Sequence, residues 1–143
     1  MSTEQNKVTA GRWFFDIIAQ GQLAVADEIF AGNHIIHDPH APPGGWPNGP
    51  EGLKMAANVF GGSFDDWNIA IEDQIAEGDR VATRWAASAT NTGPLQGMSP
   101  THKAVRVTGV NVTRFAEGKI VKFQIHYDTT TERLAFSRSL HEV

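Results

Sequence analysis

Trp67–Asp79, WNIAIEDQIAEGD, and Arg80–Gly93, RVATRWAASATNTG, are consecutive runs rich in Ile, Val, Thr, Ala and Trp, joined through Glu77-Gly78-Asp79. Runs of this kind on either side of a Gly-containing turn read as an antiparallel hairpin. The pattern repeats at Lys103–Phe115, KAVRVTGVNVTRF, and Lys119–Asp128, KIVKFQIHYD, joined through Glu117-Gly118. Pro94–Thr101, PLQGMSPT, connects the two hairpins. Four strands in succession predict one antiparallel sheet.

Upstream of Asp66 the period changes. Within Lys7–Gln20, Val8, Phe14, Phe15, Ile17 and Ile18 fall at helical spacing, with Arg12, Asp16 and Gln20 left for water, and Gly21 ends the run. Gln22–Phe30 predicts a shorter helix. Gly49-Pro50-Glu51 reads as the start of a third, with Pro in the first turn and an acid at the positive end of the dipole; it is expected to close at Gly61-Gly62. Between them Asn33–Asn48 is dense in Pro and Gly and is expected to be a loop, long enough to act as a lid or binding wall. A last helix is expected over Thr130–Leu140. Helices followed by a curved antiparallel sheet describe an α+β layer fold with a cone-shaped cavity between the layers. The 143 residues fit one domain.

Composition narrows the function. A net charge of −4 and a pI near 5.8 leave no basic face for nucleic acid. The absence of cysteine excludes disulfides, thiolate metal sites and a cysteine nucleophile. No apolar run reaches membrane-spanning length and MSTEQNK lacks a signal-peptide core, so a cytoplasmic protein without membrane partners is expected.

Chemistry-bearing residues concentrate in three places. In KIVKFQIHYD, His126 and Asp128 stand at period-2 spacing and would share one strand face with Gln124, while Phe123, Ile125 and Tyr127 take the other. A carboxyl in an apolar cavity has its pKa raised and can both remove and return a proton. The competing role for Asp128 is to cap the following helix. Asn111, an amide in a Val-rich strand, is a candidate cavity residue. A two-residue turn at Glu117-Gly118 would set it opposite Gln124, and a three-residue loop would set it opposite Phe123. The second place is the cluster His34, His37, Asp38 and His40, whose ligand types suit a metal but whose Pro39 breaks regular geometry; Asp38 at the cavity mouth with His37 beside it is the preferred reading, and no metal is expected. The third is Arg84, which alternates with Ala82, Ala86 and Ser88 and lies either in the cavity or on the surface. Trp46 and Phe60 are candidate wall residues.

HDP after the second helix, GPEGLK opening the third, EDQIAEGDRVATRW, TGVNVTRFAEGKIV and a last strand ending in Asp occur in that order. With these blocks the chain resembles the SnoaL-like polyketide cyclases of the nuclear-transport-factor-like superfamily, from about Thr9 to Leu140. The resemblance implies a cone-shaped α+β barrel, a homodimer or larger homo-oligomer, and an apolar pocket with no metal or organic cofactor. It further implies ring closure of a polyketide-like small molecule by an aldol-type step. Asp128 then matches the acid that ends the last strand, and Asp38 matches the aspartate of the HDP block. Two other readings stay open: opening of an epoxide or pyran-type ring closure by Asp38, Arg84 and Asp128, and ligand binding without turnover.

Overall fold

The computed structural model describes residues 2–39, 41–94 and 97–127. The expected helix over Thr130–Leu140, and with it Asp128, lies outside these residues, as does His40.

Helix α1, Thr3–Arg12, starts earlier than its apolar residues suggest because Ser2 and Gln5 form a capping box: Ser2 Oγ accepts from the Gln5 amide at 3.1 Å and Gln5 Oε1 accepts from the Ser2 amide at 3.0 Å. It continues into a π-helical turn, Trp13–Ile18. The wider turn brings consecutive residues nearer to one face, and both Trp13 and Phe14 are buried. Helix α2 is short, Val25–Ile29. Helix α3 spans Pro50–Ser63 and runs through Gly61-Gly62 rather than ending there. Its buried residues include Leu53, Ala56 and Ala57.

The hairpins form as the sequence suggests: β2, Phe64–Glu77, with β3, Arg80–Asn91, and β4, Ala104–Ala116, with β5, Lys119–Tyr127. The sheet gains one strand that was expected to be loop. Phe30–His37 forms β1 and pairs in parallel with β5, with Ile36 beside Phe123 and His37 beside Gln124. The β-branched pair Ile35-Ile36 outweighed the Pro and Gly signals, which begin only at Pro39. The strand order is β1-β5-β4-β3-β2. The sheet is therefore mixed and curved, and it does not close; β1 and β2 are its edges.

Two positions in the ladders decide which side chains face inward. In β2 an extra residue falls between Ile71 and Asp73, so Glu72 turns outward. In β5 one falls between Ile120 and Lys122. The Glu117-Gly118 turn has two residues, both with positive φ (53° and 80°), and pairs Ala116 with Lys119, the first of the two alternatives. The Val121 bulge then advances β5 by one, and Asn111 lies opposite Ile125 rather than Gln124 or Phe123. The concave face, packed by α1 and its π-helical turn, carries Phe123, Ile125, Phe115 and Val81 of the core.

Candidate functional site

Between the helical layer and the concave face lies a cavity of about 670 Å³, counting the open space at its mouth. Trp13, Phe14 and Ile18 come from the first helical segment, and Phe60 from α3. The sheet supplies Phe64, Trp67 and Ile69 from β2, Trp85, Ala87 and Ala89 from β3, Val105, Val107 and Asn111 from β4, and Ile125 and Tyr127 from β5. Small residues on β3 leave the space that seven aromatic rings enclose. None of these lining residues is ionised at neutral pH.

Asn111 is the one amide in the wall and is 2% exposed. Its Oδ1 accepts a hydrogen bond from Trp85 Nε1 at 3.0 Å. The approach of the indole depends on Gly109, the direct partner of Trp85 across β3 and β4. A Cβ at Gly109 would stand 2.6 Å from Cζ2 of Trp85 and 2.5 Å from the carbonyl oxygen of His126, so only glycine leaves room for the ring there. Trp85 also packs on Phe14, with centroids 5.7 Å apart, and on Tyr127 at 6.5 Å.

Of the residues singled out from sequence, Asn111 and Phe60 line the cavity. His126 and Gln124 do not: the row Phe123, Ile125, Tyr127 takes the inward face because it has the greater apolar area to bury, and His126 is exposed on the outer face. Arg84 is on that outer face too, exposed and ion-paired with Glu72, which also lies 3.8 Å from Arg106. Asp38 and Trp46 come together away from the cavity lining. Trp46 Nε1 donates to Asp38 Oδ2 at 3.0 Å, and the indole packs against the core cluster, so the pair pins the Pro/Gly-rich connection between β1 and α3. His37 is exposed at the end of β1. His34 is fully buried against the Phe30 ring, at 5.0 Å between centroids, and neither ring nitrogen makes a well-formed hydrogen bond among the described residues. Burial, partly offset by the Gly49 backbone, lowers its pKa from 6.5 to about 4. Among the described residues no three His, Asp or Glu side chains converge to hold a metal ion, and no helix is long and apolar enough to cross a membrane.

Most of the lining was not singled out from sequence. Trp85 and Tyr127 alternate with polar residues and carried the signal; choosing the inward face required the position of the bulges. Trp67 and Phe64 sit beside a further irregularity near Asp66, whose φ is 58°.

TsrD from Streptomyces laurentii shares the fold with a TM-score of 0.83 at 15% identity, over 95% of this chain and 97% of its own. IdmH, a candidate polyketide cyclase from Streptomyces antibioticus, matches with a TM-score of 0.75 at 26% identity, over 94% of this chain and 99% of its own. An LEH-like epoxide hydrolase from M. tuberculosis shares the fold at 14% identity, with a TM-score of 0.69 over 96% of this chain and 93% of its own. No curated protein matches the sequence. The family model for SnoaL-like polyketide cyclases matches residues 8–133, nearly the whole described fold, and the chain belongs to that family.

Proposed function

We propose that the chain is a cofactor-independent cyclase that closes a ring in a polyketide-like small molecule inside the aromatic cavity, with Asp128 as the acid/base. The observation that carries the reading is the lining itself: an apolar, aromatic enclosure with one amide and no ionised side chain among the described residues. An aldol closure needs a proton removed beside a carbonyl and one delivered to oxygen, in surroundings that keep water from quenching the intermediate. The enclosure suits the second requirement. For the first, the reading relies on Asp128 as the match to the acid that ends the last strand of the family, and it requires the chain to leave the β5 alternation after Tyr127, because Gln124 and His126 face outward. A carboxyl entering so apolar a space would have its pKa raised toward neutrality, which fits it for both proton steps.

The epoxide-opening alternative required Arg84 to join Asp38 and Asp128. Arg84 is held by Glu72 on the outer face and Asp38 by Trp46, so neither is disposed to form that triad. His126 is likewise set aside as a catalytic group.

The test is turnover of polycarbonyl polyketide substrates by Asp128→Asn. The expected loss is about 10²- to 10⁴-fold in kcat, the usual contribution of a positioned acid/base, with the thermal midpoint and ligand affinity kept. Wild-type turnover in the variant would remove Asp128 from the mechanism. Binding without conversion by the wild type, across the substrate panel, would leave a binding protein in place of an enzyme.

A further inference from the structure

We propose that the Asn111 side chain is the hydrogen-bond donor that seats a substrate carbonyl oxygen in the cavity, and that Trp85 is its positioning residue. This rests on the reading of the cavity as a small-molecule site.

An indole nitrogen only donates, so the Asn111 atom that meets Trp85 Nε1 at 3.0 Å must be the carbonyl oxygen. That fixes the amide plane and its sense. The nitrogen, with two N–H donors, is left with no acceptor among the described residues, on a side chain that is 2% exposed and forms part of the cavity wall. That nitrogen is not one of the sealed, unpartnered polar atoms of the interior, and a donor open toward an otherwise apolar space is where a ligand acceptor belongs.

Trp85 fixes the sense of that amide. Without its N–H the amide would be free to turn and could offer either oxygen or nitrogen to the cavity. Gly109 lets the indole lie close over β4, and Phe14 and Tyr127 pack on it, so the ring that fixes Asn111 is itself held. A fixed donor costs less to engage than a rotating one. The ligand class follows from the lining: a neutral, ring-containing molecule that presents a carbonyl oxygen. An anion at that oxygen would meet no cation among the described lining residues.

The test uses the full chain and a matched pair of probes of nearly equal shape, 2-acetylnaphthalene and 2-ethylnaphthalene, titrated calorimetrically. The wild type is expected to prefer the ketone by roughly five- to tenfold, the worth of one net hydrogen bond. Asn111→Leu should abolish the preference while keeping affinity for the hydrocarbon. Should that variant fail to fold, Asn111→Asp at pH 8 keeps the volume, removes both donors and should reverse the preference. Trp85→Phe should lower the ketone preference at least twofold with hydrocarbon affinity unchanged, a split that loss of packing alone would not produce. Equal affinity for the two probes in the wild type would overturn the assignment and leave the cavity reading standing. Failure of both probes to bind would overturn the cavity reading and this assignment with it.

Discussion

His34 is a single side chain whose burial has a measurable cost. Loss of water from around the ring disfavours its charged form, and the Gly49 backbone offsets only part of this. Its folded pKa of about 4 lies below the ordinary 6.5, so between those values the unfolded chain binds the extra proton and the folded chain does not. The contribution to stability is therefore full above pH 6.5 and is lost as pH falls toward 4, by on the order of 3 kcal/mol. Urea unfolding at pH 7.5 and 4.5 should show that fall, and His34→Leu should flatten it in this window; an unchanged fall in the variant would assign it to carboxylates instead. Little of this residue's situation was legible in HIIHDPH, where the preferred reading set Asp38 at the cavity mouth with His37 beside it and gave His34 no role of its own. The parallel pairing of β1 with β5 drew His34 inside, and such pairing between distant segments leaves no local trace. Gly109 is the opposite case. A glycine within a Val-rich run signals close approach, though not that a tryptophan ring was the neighbour.

Strand β5 shows how much one element can carry and how little of it is written locally. Its hairpin partner and its division into a Gln124/His126 face and a Phe123/Ile125/Tyr127 face were legible, while the turn stayed open between two residues and three. Which face turns inward hung on Val121, the extra residue between Ile120 and Lys122. Had Val121 entered the ladder, Gln124 would stand opposite Asn111 on the concave side. Because the bulge already exempts it from pairing, deleting Val121 should leave the same partners in register and cost no more than about 2 kcal/mol in chemical denaturation, a usual range for single changes. Deleting Gln124, beyond the bulge, should slip Ile125 and Tyr127 to the outer face and abolish the cooperative transition. Equal stability of the two deletions would mean that β5 can re-register freely.

Across the whole molecule the helices-then-sheet order fixed the layers, while the closing of the structure depends on groups far apart in sequence. Asn91, fully buried, donates to the carbonyls of Ser63 at 3.0 Å and Gly93 at 2.9 Å and accepts from the Thr101 amide at 2.6 Å. It thereby ties the end of α3 to β3 and to the connection into β4. Nothing in SATNTG distinguishes that hub from a loop asparagine. The cavity wall is likewise a product of assembly, since six of the structural segments contribute to it. Three of the four tryptophans, Trp13, Trp67 and Trp85, are in that wall, and the fourth, Trp46, is pinned elsewhere by Asp38. The protein thus carries its own optical gauge of occupancy. Filling the cavity with a conjugated ligand should quench most of the indole emission and leave a residual component from Trp46, which Trp46→Phe would erase; quenching confined to Trp46 would place the ligand somewhere other than the cavity.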